Sequence, residues 1–265
     1  MSRPLRLRPR GTSTLVVASA AGLAAFLWPL VVQPGAALES TSAPLVFALL
    51  LPVLLAVVLA EMSEGGMDTK ALAMLGVLSA IGAALRPLGA GTAGIETVFF
   101  VLVLGGRVFG PGFGFVLGAT TMFSSALLTG GVGPWLPFQM LGAAWVGLGS
   151  GLLPRARGKA ELVLLASYSA VASLGYGALL NLSFWPFALG EHTQLSFDAH
   201  AGVVANLHAF ALFTLATSLG WDVGRALTTA TLVMLTGPAV LAALRRASRR
   251  AAFEAPVDFV PAHSG

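Results

Sequence analysis

The sequence predicts an all-α polytopic membrane protein, and three observations carry that prediction. Hydrophobic residues fill 56% of the 265 positions and charged ones 10%, with a mean hydropathy of +0.86. A soluble domain carries about 25% charged residues, so this chain lacks the charge to cover itself against water. The apolar residues also fall into nine runs, and crossing the hydrocarbon takes about 20 such residues as a helix. Finally, the basic residues behind the net charge of +4 gather at the two chain ends and in one short loop. That placement suits a membrane protein and argues against nucleic acid. The chain has no cysteine, which excludes a disulfide framework, a thiolate metal site and a cysteine nucleophile.

The first run, Thr14 to Val32, follows Arg3, Arg6, Arg8 and Arg10. It is long for a signal peptide and no small-x-small cleavage site follows, so it reads as an uncleaved span. The second is Ala43 to Ala60, and a polar hinge from Glu61 to Lys70 leads into the third, Ala71 to Leu88. Thr97 to Phe109 and Phe113 to Leu128 are separated by Gly110-Pro111-Gly112, a tight helix break, because proline cannot donate and glycine tolerates the turn. Trp135 to Leu153 and Ala160 to Leu180 follow, then an apolar run from Val203 to Leu219, then Ala226 to Leu244.

Charge placement tests whether all nine runs cross. If Val203 to Leu219 enters and leaves on the outer side, eight runs cross and both termini lie inside. Of the fifteen Lys and Arg, Arg86 and Arg225 then lie outside, whereas nine crossings would expose five, Arg86 with Arg245, Arg246, Arg249 and Arg250. Eight crossings are therefore expected, with Val203 to Leu219 as an outer-side segment whose ends protein or a watery cavity must shield. Arg155, Arg157 and Lys159 form an inner loop. The expected layout is a basic N-terminus over 1–13, a transmembrane hairpin over 14–66, a six-helix core over 67–250 and a flexible inner tail over 251–265.

Gly76, Ala80 and Ala84 lie four residues apart in the third span, a stripe that lets another helix come close in lipid. It serves either packing within the chain or docking of a separate membrane subunit. Gly114 and Gly118, and the crowd Gly142, Gly147, Gly149 and Gly151, read as internal packing. Several chemistries lack their motifs. There is no G-x-x-x-x-G-K-[ST] loop, since Gly158-Lys159 has the wrong spacing and is followed by Ala160. There is no H-E-x-x-H, no G-x-S-x-G and no line of intramembrane carboxylates; Glu96 reads as the one acid near a span interior in the first seven runs. Neither an enzyme nor a metal site is expected, nor any cofactor.

A polar ligand would need a few oriented polar groups in an apolar wall. The candidates on the outer half are Arg86, Glu96, Trp135, Gln139, Asn181, Trp185, Asn206, His208, Trp221, Asp222 and Arg225. Each has a plainer reading. Arg86 can snorkel to headgroups or pair with Glu96, Trp185 and Trp221 can be interfacial belt residues, and His208 can be a packing residue. Gln139, Trp135 and Asn181 rank first, because they meet apolar spans with no charge nearby to satisfy them. The stretch Thr129 to Met140, with three glycines and two prolines, is a fixed turn expected to aim Trp135 and Gln139 at the outer mouth of the bundle.

Gly105-Gly-Arg107-Val-Phe-Gly110-Pro111-Gly-Phe-Gly114-Phe-Val-Leu-Gly118 and Gly131-Val-Gly-Pro-Trp135-Leu-Pro-Phe-Gln139-Met resemble the substrate-binding (S) components of energy-coupling factor vitamin transporters, with the likeness extending over about Lys70 to Arg250. The resemblance implies a six-helix membrane core with both ends cytoplasmic, in the cell membrane, that captures a micronutrient from outside. Release is then driven by a membrane-coupling T subunit and two ATPase subunits. It also implies that Gly76, Ala80 and Ala84 form the docking stripe, and that Asp222-Val-Gly-Arg225 matches a polar-x-x-basic element near the outer pocket. The pattern looks closest to actinobacterial-type members suggested to carry cobalamin or a related compound. The N-terminal hairpin is extra to that family pattern, and the outer segment from Leu182 to Leu219 is long for it. The alternatives are a secondary carrier, for which no inverted repeat is visible, and a membrane-embedded enzyme.

Overall fold

A computed structural model of the chain describes residues 9–31, 53, 69–89, 92–189, 193–198 and 200–251. Among the described residues there are eight helices and no strand: α1 (Pro9–Val31), α2 (Thr69–Gly89), α3 (Phe99–Phe109), α4 (Pro111–Thr129), α5 (Leu136–Leu152), α6 (Gly158–Ala188), α7 (Val203–Thr217) and α8 (Leu219–Ala251). Of these, α2, α4, α6 and α8 contain stretches long and apolar enough to cross a membrane. The all-α polytopic class expected from composition stands. The expected span Ala43 to Ala60, most of the hinge after it and the tail beyond Ala251 lie outside the described residues.

The bundle is built around α3, which touches α2, α4, α5, α6 and α8. Every residue of α3 is buried except Phe100 and Arg107, which are half-buried. With 11 residues it rises about 16 Å, well short of the ~30 Å hydrocarbon layer. A helix sheathed by five others does not have to span the lipid by itself. The sequence placed a span from Thr97, but the helix begins at Phe99, and residues 92–98 form an irregular loop. Three bonds hold that loop: the Thr92 N–H donates to the Gly89 carbonyl (3.2 Å), the Ile95 N–H to Thr92 (2.8 Å), and the Thr97 hydroxyl to the Leu85 carbonyl (2.6 Å).

The Gly-Pro-Gly joint behaves as its residues dictate. Gly110 sits at φ 103°, ψ 172°, a region closed to side chains, and Pro111 opens α4 where its missing N–H costs nothing. Next, α4 lies against α5 at backbone distance. A Cβ on Gly114 would run into the Gly147 carbonyl, and one on Gly118 into the Ala143 carbonyl. Gly106 of α3 abuts the same Gly147 carbonyl. The glycines of α4 and α5 are therefore internal packing, as expected, with Gly142 accommodating Tyr176 and Gly149 accommodating Tyr168.

α2 divides into two faces. Leu75, Leu78, Ser79, Gly82 and Ala83 turn inward, where Ser79 bonds Thr120 (2.8 Å) and Gly82 makes room for Thr121. Gly76, Ala80 and Ala84 turn outward and are exposed, and a Cβ on Gly76 would meet nothing within 4 Å.

The two ends of the bundle differ in character. One end, called the basic end here, joins α3, α6 and α8 through charge. Arg107 donates to Glu161 (2.8 Å) and to the Leu153 and Pro154 carbonyls (3.0 and 3.1 Å), while Arg245 donates to the same Glu161 oxygen (2.6 Å). Glu161 is 3% exposed, so the sequence reading that singled out Glu96 missed a second buried acid, in the first turn of α6. The other end, the cap end, carries the 92–98 loop, the turn after α4, and α7. Trp185 of α6 meets Phe210 and Phe213 of α7, and Ser218, just after α7, donates to Asn181 of α6 (3.0 Å). α7 thus starts and ends at the cap end.

The last helix starts at Leu219, ahead of the expected Ala226. Ser218 makes the change of direction: its N–H donates to Thr214 and its carbonyl accepts from Asp222 (2.9 Å), so α8 follows α7 after one residue. Asp222 and Arg225 did not suit a lipid-facing helix, but they point inward and pair with each other. α1, finally, packs on α5, α6 and α7. Phe26 is fully buried against Phe138 (4.9 Å) and Trp145 (5.6 Å), the Trp145 indole N–H donates to Ser19 (3.0 Å), and Trp28 stacks on Phe187 (5.8 Å).

Candidate ligand site at the cap end

Five elements bring polar side chains together beneath the 92–98 loop. From the last turn of α2, Arg86 reaches across to α5 and donates to the Gln139 side-chain carbonyl (3.0 Å), with a longer contact to the Ser125 hydroxyl of α4 (3.5 Å). The sequence showed no charge near Gln139, but the fold brings Arg86 to it. From the first turns of α8, Arg225 pairs with Asp222 (2.7 Å) and donates to the Ser173 carbonyl (3.4 Å). The Arg225 guanidinium also lies over the rings of Tyr176 (5.3 Å) and Phe99 (5.9 Å), which meet edge to face at 4.8 Å. This is a cation–π arrangement in which two rings flank the charge.

The seam between α6 and α8 follows helical spacing. Ser173, Gly177 and Asn181 recur every four residues, so they share one face of α6. Each meets a polar group of the other helix or the residue before it: Ser173 meets Arg225, Gly177 meets the Asp222 carboxylate and Asn181 meets Ser218. Gly177 is required because a Cβ there would occupy the place of the carboxylate.

Glu96 is the odd member. Its Oε1 is buried with no hydrogen-bond partner, and no ion pair forms with Arg86, so the loop-pair reading of those two residues does not hold. Burial pushes its carboxyl above the ordinary value. Arg225, then Arg86, then the backbone N–H groups of Val98 and Thr97 pull it part of the way back. Arg225 Nε, Asn181 Nδ2 and Ser173 Oγ are likewise buried without partners. Buried polar atoms are ordinarily paired, so four orphans around one cluster mark a place where an added molecule would find bonds waiting.

The loop above is seated closely. Gly94 (φ 75°) lies against the Trp221 carbonyl and Gly224 against the Ala93 carbonyl, with Ala93 itself at φ 44°. No substituted residue could replace Gly94 without moving the loop from α8.

Of the sequence candidates, Arg86, Glu96, Gln139, Asp222 and Arg225 are brought together, and Asn181 adjoins them through Ser218. Five others are not. Trp135 is 55% exposed and folds back on its own turn, its indole N–H reaching the Gly131 carbonyl (3.3 Å). Trp221 is exposed and contributes its backbone to seating the loop. Trp185 is buried in the aromatic cluster under α7, with its N–H on the Leu195 carbonyl (2.6 Å). Asn206 ties down the turn before α7, donating to the Asp198 carbonyl (2.8 Å) and accepting from its N–H (3.1 Å). His208 is exposed. The sequence reading missed Tyr176, Ser173 and Gly177, although the spacing of Ser173, Gly177 and Asn181 along one helix face could have found two of them. Among the described residues no group of His, Asp and Glu is arranged to hold a metal.

No curated protein and no solved structure matches the chain. A family model for the substrate-specific component of ECF transporters matches residues 70–244, from the start of α2 into the last turns of α8, and leaves α1 outside. The match takes in every element that builds the cap-end cluster and well over half of the chain. The helical bundle is of the multi-pass kind such a component requires, and the chain therefore belongs to the family of ECF transporter substrate-specific components.

Proposed function

We propose that this chain captures a vitamin-like micronutrient at the cap end, on the outer face of the cell membrane, and hands it on with the help of a T subunit and two ATPase subunits. One observation carries the reading: in a chain of this family, a cluster of polar side chains at one end of the bundle keeps unpartnered atoms, whereas the charges at the other end pair with each other. Both termini lie on the cytoplasmic side, where the basic end also lies. The N-terminal hairpin over 14–66 is an addition to a substrate-binding core over 67–250. Cobalamin is the first compound to try, on the overall likeness noted above.

The outward stripe of Gly76, Ala80 and Ala84 supports docking of the T subunit, since small residues let helices approach in lipid and α2 turns these three away from its own bundle. Ala80→Leu is expected to weaken co-purification with the T and ATPase subunits at least tenfold while leaving ligand binding and the melting temperature in place. Loss of folding instead would mean that the stripe packs within the chain. The larger reading is tested by uptake into vesicles. The chain alone should bind ligand without accumulating it, and accumulation should appear when the T and ATPase subunits and ATP are supplied. Uptake by the chain alone on an ion gradient would make it a secondary carrier.

A further inference from the structure

We infer that the captured compound is uncharged where it meets the cluster and presents an amide-type edge, an N–H donor beside a carbonyl acceptor, to Glu96 and the neighbouring orphan donors. The inference rests on the capture reading above and adds the chemical class of the ligand.

Charge balance is the first argument. Two guanidiniums, Arg86 and Arg225, face two carboxylates, Glu96 and Asp222. Arg225 is already neutralised by Asp222 at 2.7 Å and flanked by the rings of Tyr176 and Phe99, so the pair offers no free charge of either sign. An anionic ligand would have Arg86 to attract it and Glu96 to repel it. A cationic ligand would find Glu96 but also Arg86, whose field acts on that carboxylate. Like charges brought together in a site of low dielectric are costly.

The second argument is the list of unmet bonds. Arg86 is engaged by neutral acceptors, Gln139 and Ser125, and not by a carboxylate. Glu96 Oε1 is a buried acceptor that lacks a donor, Arg225 Nε is a buried donor that lacks an acceptor, and the Ser173 hydroxyl beside Arg225 is also unpartnered. A site with an acceptor, a donor and a hydroxyl to fill is complemented by a group carrying both polarities at once. Carboxamides, imides, lactams and ureides have that edge. A carboxylate has acceptors alone, and an ammonium has donors alone. A site built to bond such a group rejects analogues that lack one of the bonds, because its own buried atoms are then left unpaired.

The test is equilibrium binding by the full chain in lipid nanodiscs. The probes are nicotinamide against the anion nicotinate as a matched pair, riboflavin and cyanocobalamin as imide- and carboxamide-bearing compounds, and thiamine as a cation. Binding is expected among the amide and imide probes, with Glu96→Ala weakening it at least tenfold. Glu96→Gln keeps an acceptor oxygen and loses the charge, so it should retain affinity within about threefold, whereas a cation held by Glu96 would be lost. Tight binding of nicotinate or thiamine, with no binding of the amide and imide probes, overturns the ligand class and leaves capture standing. If no probe binds, the compound released on denaturing the purified chain decides by its own charge and functional groups. Release of no compound at all, with no probe bound, overturns the capture reading itself.

Discussion

At the scale of single residues, the bundle keeps its charges in two places and treats them differently. At the basic end Glu161 accepts from two arginines, and the geometry closes: Arg107 and Glu161 are 9% and 4% exposed, and Arg107 also holds two carbonyls at the end of α5. Removing one partner of a buried pair leaves a charge uncompensated, at a cost of about 3–5 kcal/mol. Arg107→Ala should therefore lower the melting temperature of the purified chain more than Arg245→Ala, since Arg245 is 36% exposed and water can replace it. Equal effects would mean that the two arginines share the load. At the cap end Glu96 is left open. The folded chain holds its proton more tightly than the unfolded chain does, so ionising it costs stability. The stabilisation is full below the ordinary value of 4.5 and is lost as pH rises through the raised folded-state value. Thermal unfolding of ligand-free protein should show a melting temperature that falls as pH rises from about 4.5, and Glu96→Gln should flatten that stretch. An unchanged slope would mean that Glu96 is solvated like an ordinary surface acid.

At the scale of elements, glycine decides which helices touch. Gly114 and Gly118 let α4 reach the backbone of α5, while Gly76 on α2 faces open space. Gly114→Ala should force the two backbones apart and cost about 1–3 kcal/mol, the usual penalty for overpacking, whereas Gly76→Ala should leave the melting temperature unchanged or slightly raised. A loss at Gly76 as large as that at Gly114 would place a covering helix over the stripe. Much of this was legible in the sequence. The Gly110-Pro111-Gly112 break and the glycine stripe of α4 follow from residue type and spacing. The rest required three dimensions. α3 looked like a full span because hydropathy cannot tell a lipid-facing helix from one buried by five neighbours. Asp222 and Arg225 looked like the approach to a helix because their mutual pairing, which lets them sit inside one, depends on Gly177 of a different helix. Trp135 drew notice as an aromatic residue in a rigid turn, but the same turn folds it onto its own backbone. Tyr176 carried no signal beyond being one of two tyrosines, and it matters because Arg225 lies across its ring.

At the scale of the whole molecule, the bundle is polarised. Its basic end is locked by Arg107, Glu161 and Arg245, its flank carries an outward stripe of small residues, and its cap end holds polar atoms without partners under a tightly seated loop. α1, outside the region that matches the family, braces this end: Phe26 packs on Phe138, the neighbour of Gln139, and Trp28 packs on Phe187 and Phe197 below α7. A capturing subunit needs such an arrangement, a site at one end and a docking face at the side, with the energy source elsewhere. The most direct test is mass spectrometry of the small molecules released when the purified full chain is denatured, with the Glu96→Ala/Arg225→Ala variant handled in parallel. The expected result is one micronutrient at one per chain, bound without ATP and lost from the variant. A chain that releases nothing, or a variant that releases as much as the unaltered chain, would contradict capture at this site.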